Sequence, residues 1–275
     1  MGLSTKTFAL SVVTLALPIS ASVLSSDFHA IFKRDPPKAL PSCATDADKK
    51  WQPAMDFDKD GCYNSPAIDA NGNIAQGLKC GGAKNGHCRD ESDLDNNNVY
   101  SRARCNNGWC GFLYGYYFEK DQSVAGSCGV GHRNDWEHVV VWVKDGDDMP
   151  SYVGASQHGK YQVKPASAVR FLDTHAKIVY HQDGGLTHCM RFANVADDAV
   201  ENHKGAWFFG DLVGYSGFPT DELRDKMLSH DFGAAVPDIR ESIFANVMEH
   251  AKGGNNIPLD TKVDNENSPG EPQGC

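Results

Sequence analysis

The chain lacks a hydrophobic run long enough to cross a bilayer. Its one sustained apolar stretch is FALSVVTLALPI at residues 8–19, well short of the roughly 20 residues a spanning helix needs. No transmembrane helix is therefore expected. Basic charge is also scarce, with 26 Lys and Arg against 36 Asp and Glu and a formal net charge of −10. So acidic a chain has no long-range attraction for nucleic acid or for an anionic membrane surface, and no nucleic-acid partner is expected. No N-x-S/T sequon occurs, since Asn64 and Asn267 are each followed by Ser-Pro; N-glycosylation is not expected. No internal repeat is visible.

What the chain does have begins at its front end. Met1 to about Ser22 reads as a secretory signal peptide: Lys6 supplies the positive region, residues 8–19 the apolar region, and Ser20-Ala21-Ser22 the small residues for cleavage. Lys33-Arg34, in a polar and Pro-flanked stretch, resembles a dibasic processing site. Residues 23–34 then read as a propeptide and 35–275 as the mature protein, long enough for one good core without division into two domains. Export implies an oxidising compartment, and nine cysteines agree with it. Cys105 and Cys110 flank the turn Asn-Asn-Gly-Trp, which suits a local bridge. A zinc site would need a second Cys or His pair at matching spacing, and none is present. The odd number leaves at least one cysteine without an intramolecular partner.

Residues 60–110 are rich in Gly, Asn, Asp and Cys and are expected to form loops with short strands. From 111 to 215 the β-rich runs Val139–Val143, Ala168–Phe171, Lys177–Tyr180 and Trp207–Phe209 dominate, each bounded by Gly, Asp or Pro, the pattern of a sandwich or barrel. Thr220 is expected to cap one helix, with Leu223, Met227 and Leu228 on its apolar face. Asp238 is expected to cap a second, carrying Ile239, Ile243 and Val247 and stopping at Gly253. The polar tail from about residue 254 is expected to be mobile.

The most informative stretch is Gly131-His132-Arg133-Asn134-Asp135-Trp136-Glu137-His138, which runs into Val139–Val143. Side chains two apart share a strand face, so Asp135 and Glu137 point the same way. His132 stands just before them, where Gly126, Gly129 and Gly131 allow a turn. Two carboxylates at the mouth of a buried strand repel each other and resist desolvation. A divalent cation, or the adjacent Arg133, has to compensate. The plainer alternative is a surface histidine beside solvated acids.

Gly131–Glu137 resembles the heptapeptide GHRHDWE of the necrosis- and ethylene-inducing peptide 1-like proteins at six of seven positions, with Asn134 where the family has its second His. Further segments resemble the same family in order: Asp60-Gly61-Cys62 with Pro66-Ala67-Ile68-Asp69, Cys88-Arg89, the aromatic run Tyr114–Asp121, and Val179-Tyr180-His181 through Gly185-Leu186-Thr187-His188. The resemblance covers most of residues 50–250. It implies a mainly β fold, a single-domain β-sandwich with flanking helices similar to sea-anemone pore-forming toxins. It implies a secreted, extracellular protein that acts in the host apoplast as a cytolysin and not as an enzyme. The partner it implies is glycosylated inositol phosphorylceramide of plant plasma membranes.

The resemblance also implies a divalent cation, magnesium or calcium, held by Asp121, His132, Asp135 and Glu137, although this chain is a few residues longer between Asp121 and His132 than common members. Arg133, His158 and His188 fall where the family has polar residues around a headgroup cavity. Cys62 and Cys88 match its shared disulfide. Asp56-Phe57-Asp58-Lys59-Asp60-Gly61 opens like a calcium loop, but Ala67 stands where the closing Glu belongs. The segment resembles the calcium-binding stretch of the family's type 2 subgroup, which makes Asp56, Asp58 and Asp60 calcium candidates, the alternative being an exposed Asp-rich turn. Two other readings stay open: a metal-dependent hydrolase built on His132, Asp135 and Glu137, and a non-toxic protein whose segment Gly111–Arg133 is recognised by plant immune receptors.

Overall fold

The computed structural model describes residues 1–2, 36–263 and 269–275. The apolar run at 8–19 and the Lys33-Arg34 pair lie outside the described residues. Among those described, no helix is long and apolar enough to cross a membrane.

Two thirteen-residue strands organise residues 36–275. β3 (Trp109–Asp121) and β4 (His132–Lys144) pair antiparallel from Trp109↔Lys144 at one end to Asp121↔His132 at the other. Their sequences are apolar on both faces, as a strand buried on both sides requires. Phe112, Tyr114, Tyr116 and Phe118 share one face with Val139, Val141 and Val143; Leu113 and Tyr117 share the other with Trp136, Val140 and Trp142. β2 (Asn98–Asn106) pairs with β3, and β10 (Asp211–Gly214) runs parallel to β2. Beyond β4 lie β5 (Tyr152–Gln157) and β6 (Lys160–Pro165), completing a six-stranded sheet in the order β10-β2-β3-β4-β5-β6.

A smaller sheet centres on β8 (His175–Gln182), which pairs with β1 (Ala54–Phe57), β7 (Phe171–Leu172) and β9 (His188–Phe192). It lays Met55, Phe57, Ile178, Tyr180, Met190 and Phe192 against the first face of the large sheet. The second face is covered by α3 (Asp221–Ser229) and α4 (Glu241–His250) through Met227, Leu228, Phe244 and Met248. Short helices α1 (Asp46–Trp51) and α2 (Glu91–Asp95) precede the large sheet in sequence. The architecture is the expected sandwich with flanking helices.

Several local expectations change. Thr220 caps α3 as read, accepting from Leu223 N at 3.2 Å. α4, however, starts after Arg240 and buries Phe244 and Met248 while Ile243 and Val247 are only half-buried. Asp238 is not its cap; it meets His138 Nδ1 at 2.7 Å. Residues 60–110 contain β2, a nine-residue strand. Of the run at Trp207–Phe209 only Phe208 bridges, to Met55.

The tail is not free either. Ile257, Leu259 and Thr261 are buried, and Cys275 closes a disulfide with Cys43. Cys62–Cys88 and Cys105–Cys110 pair as expected. Cys80–Cys128 is a fourth bridge, and Cys189 is the buried free thiol. Cys275→Ser is expected to cost roughly 2–5 kcal/mol, because it releases a long loop in the unfolded chain. Thermal unfolding, with hydrogen exchange at Ile257 and Leu259, checks it. No change in either would show that packing alone holds the tail.

Candidate metal centre

β4 is longer than its neighbour. It pairs with β5 only from Val139↔Ala155 to Trp142↔Tyr152, so His132–His138 run on past that ladder. A cavity of about 410 Å³ opens there, lined by Asp121, His132, Asp135, Glu137, His158 and His188 and, across from them in sequence, by Tyr161, Val236, Asp238 and His250.

Asp121, His132 and Asp135 each bring a ligand atom within 4.8 Å of the others; among the described residues they are the group able to hold a metal ion. The hairpin explains the first two, since Asp121 and His132 are its last paired residues. The loop closes there because residue 131 is glycine: a Cβ would stand 2.1 Å from the Asp121 carbonyl oxygen. Asp135 joins them although an ideal strand would put it on the opposite face from His132. Between the two, Asn134 has a left-handed backbone with φ 57°, which interrupts the two-residue alternation.

Neighbouring groups orient these ligands. His132 Nδ1 lies 2.7 Å from the Asn134 carbonyl oxygen. A carbonyl only accepts, so Nδ1 carries the proton and the Nε2 lone pair is left for an ion. The Asp121 carboxylate accepts from the His188 backbone N–H at 2.9 and 3.1 Å and from its Nδ1 at 2.7 Å. Asp135 Oδ2 accepts from the Tyr180 hydroxyl at 3.1 Å. Tyr180 is itself fixed by stacking on Phe118, 3.7 Å between ring centres.

The site is electrostatically loaded. Burial, with the Asp121 charge adding to it, pushes the Asp135 carboxyl up to about 7. Burial and then the Asp135 charge push Glu137 well above the usual carboxylate range. Burial alone would lower His188, but hydrogen bonds and charges from Asp121 and Asp60 outweigh it and carry the imidazole up to about 9. Crowded, desolvated carboxylates of this kind are stabilised by a bound divalent cation, and a donor set of carboxylate oxygens with one imidazole suits such an ion.

Other expected site residues fall differently. Glu137 lines the cavity, but its carboxylate accepts from Ser156 Oγ and lies outside the three-residue cluster. His188 is buried and turned onto Asp121, a support for the ligand set more than a free cavity wall. His158 lines the cavity and pairs with Asp183 at 3.1 Å. Arg133 is exposed and does not line the cavity.

Among the described residues, Asp56, Asp58 and Asp60 do not form a group that brings three ligand atoms together. Asp56 is buried and accepts from the backbone N–H groups of Glu201 and Asn202, Asp58 pairs with Arg191 at 3.1 Å, and Asp60 pairs with Lys84 at 2.5 Å. Each acid has its own protein partner, and Asp58 and Asp60 line a second pocket with Asp197 and Glu201. Tyr180, Ser156 and Asp238 reach the site from distant elements, and their sequence neighbourhoods do not reveal that placement.

Asn134 faces away from the cluster. Its Oδ1 accepts from the Tyr117 hydroxyl at 2.6 Å and its Nδ2 donates to the Phe232 carbonyl at 3.1 Å. A Cβ at Gly77 would stand 2.2 Å from Asn134 Oδ1, so the pocket around this amide is closed on that side too. Asn134→Ala loses both bonds and strains the left-handed backbone. It is expected to cost about 2–4 kcal/mol, while cation affinity changes little; denaturant unfolding and calorimetry check the two halves.

Comparison with known proteins agrees with this architecture. Residues 45–251 match the family model described as Necrosis inducing protein (NPP1). The Necrosis-inducing protein NPP1 of Phytophthora nicotianae is 30% identical over 251 residues, covering 89% of this chain and 97% of its own. Necrosis and Ethylene inducing Protein 2, from the causal agent of cocoa's witches' broom disease, has a similar solved structure: TM-score 0.67 at 27% identity, over 78% of this chain and 94% of that one. The solved complex of NLPPya with glucosamine gives TM-score 0.65 at 29% identity, over 78% of this chain and 95% of that one. Sandwich and covering helices thus define a protein of the toxin fold. The chain belongs to the necrosis-inducing protein (NPP1) family.

Proposed function

We propose that the protein is exported and that its cavity holds magnesium or calcium at Asp121, His132 and Asp135, with Glu137 beside them. Through that ion it takes the sugar headgroup of glycosylated inositol phosphorylceramide in plant plasma membranes, and the bilayer is damaged. The observation that carries this reading is the convergence of three ligand side chains in an open cavity. The ion is a local Lewis acid able to orient sugar hydroxyls on an otherwise acidic protein. That NLPPya forms a complex with glucosamine supports a sugar as the ligand.

Leakage from vesicles of plant lipid, prepared with and without the sphingolipid and with and without chelator, tests the proposal. Leakage is expected only when sphingolipid and cation are both present. Equal leakage from vesicles lacking the sphingolipid rejects the headgroup. Immune recognition of the β3 part of Gly111–Arg133 would require the chain to open first, whereas residues 124–130 are largely exposed.

A further inference from the structure

The acidic turn Asp58-Lys59-Asp60-Gly61 leans on the side chains that support the cluster. Residue 61 lies against two rings: a Cβ there would stand 3.1 Å from Tyr180 Cδ1 and 3.3 Å from His188 Cδ2. Those rings stack on each other, 5.1 Å between centres. Each holds one carboxylate of the cluster, His188 donating to Asp121 and Tyr180 to Asp135. The turn therefore backs both carboxylates at one remove. Asp60 adds a contact of its own, with Oδ1 3.8 Å from His188 Nε2.

Lys84 grips the other oxygen of the same carboxylate. Its Nζ donates to Asp60 Oδ2 at 2.5 Å and to Gln182 Oε1 at 2.6 Å. Gln182 Nε2 in turn donates to Ser123 O at 2.7 Å and to Leu186 O at 2.8 Å. One ammonium thus ties together the acidic turn, the connection that leaves Asp121 and the loop that leads into His188. The loop carrying Lys84 is itself fixed. Gly81 N donates to Gln122 Oε1 at 3.0 Å, Gly126 N donates to Gly82 O at 2.7 Å, Asn85 Nδ2 donates to Lys59 O at 2.7 Å, and Cys80 is bonded to Cys128. An isolated surface ion pair contributes little. Lys84 is not one, since its side chain is only 27% exposed and both of its acceptors belong to one connected network.

We propose that Lys84 is a positioning residue for the cation site. By holding Asp60 it keeps the 58–61 turn pressed on His188 and Tyr180, and so fixes the two carboxylates that meet the ion. This rests on the cation reading above and deepens it, because side chains that never touch the ion then set its affinity. The acidic spacing at 56–61 gains a role without a calcium ion of its own. Partners that orient a ligand commonly govern metal affinity by roughly 10–100-fold. His188 and Tyr180 are such partners. Lys84 and Asp60 stand one step further out, so an effect of about tenfold, the lower end, is expected. Lys59, on the same turn, pairs instead with Glu201 at 3.5 Å and is 79% exposed.

Calorimetric titration of the metal-free full chain with magnesium and with calcium tests the proposal. The parent is compared with Lys84→Met, Asp60→Asn, the double variant and Lys59→Met. Affinity is expected to fall about tenfold in each of the first two, no further in the double variant, and not at all in Lys59→Met. Lys84→Arg, which keeps the charge, should recover most of the loss. The imidazole resonances of His188 in metal-free protein give a readout independent of the ion. They should shift in Lys84→Met and return in Lys84→Arg, with the thermal midpoint close to that of the parent.

Parent-like affinity in both Lys84→Met and Asp60→Asn overturns the positioning role and leaves the cation reading standing. A parent that binds neither ion overturns the cation reading, and the positioning role with it. Losses that add in the double variant show two side chains acting separately, which also overturns the proposal. So does a lowered metal-free midpoint that Lys84→Arg does not restore, since that assigns Lys84 to the stability of the fold. Loss of a second bound cation in Asp60→Asn, with the first unchanged, gives Asp60 a calcium site of its own and overturns the proposal as well.

Discussion

Asp135→Asn is expected to weaken magnesium and calcium binding by at least about 100-fold, since losing even a residue that merely supports a ligand commonly costs 10–100-fold. Asp135 is one of two carboxylates in the cluster, and its partner Asp121 is already engaged by two donors from His188, the backbone N–H and Nδ1. Asparagine keeps the shape and the bond from Tyr180 but removes the charge. In the absence of a cation the variant should be as stable as the parent or more so, because burial and the Asp121 charge both oppose ionisation of Asp135. Glu137→Gln is expected to lose far less affinity, since its carboxylate is held by Ser156 outside the cluster. Calorimetric titration of metal-free protein, paired with thermal unfolding, checks both variants. Unchanged affinity in Asp135→Asn would place the ion elsewhere.

The sequence made the frame of this site legible because strand periodicity is local. Asp135 and Glu137 do share a face, and Val139, Val141 and Val143 continue it into the core between the sheets. His132 is a harder case. Alternation counted from Asp135 would send it to the helix side, and its presence in the cluster depends on the left-handed backbone of Asn134, which no hydrophobic pattern reports. Asn is nevertheless among the residues that tolerate that conformation best.

What the sequence could not show is partnership across distance. The acidic stretch Asp56–Gly61 has the opening spacing of a calcium loop, yet Arg191, Lys84 and the turn at Glu201-Asn202 claim its carboxylates one by one. The second helix failed by a single residue of phase. Ile243 and Val247 share a stripe with Ile239, but Phe244 and Met248 are the side chains that fill the space over Trp142 and Leu113, and packing decided between two adjacent apolar stripes. The tail reads as polar and mobile until Cys275 is known to meet Cys43, a pairing that no spacing predicts.

Raising the pH is expected to destabilise the metal-free protein from about pH 4 to pH 9, and a saturating cation should flatten the lower part of that fall. An ordinary Asp carboxyl titrates near about 4, whereas Asp135 in the folded chain is pushed up to about 7. Between those values the unfolded chain has released a proton that the folded chain retains. Stability therefore declines as pH rises through this window and levels off above it. Glu137, also raised, acts in the same direction. His188 takes over at higher pH: its folded value of about 9 lies above the ordinary 6.5, so its contribution is complete below the lower figure and is lost as pH climbs through the upper one. Asp60 has the opposite sign, being held low chiefly by its hydrogen bond to His188, and it matters only below about pH 4. A cation binds the ionised form of Asp135, so affinity should climb with pH up to about 7 and then level off, with proton release on binding below that point. Thermal midpoints at pH 5, 7 and 9, in chelator and in excess magnesium, read the whole scheme. A metal-free midpoint that rises between pH 5 and 7 would show that the carboxylates are not crowded in solution, and the electrostatic reason for an ion at Asp121, His132 and Asp135 would fall with it.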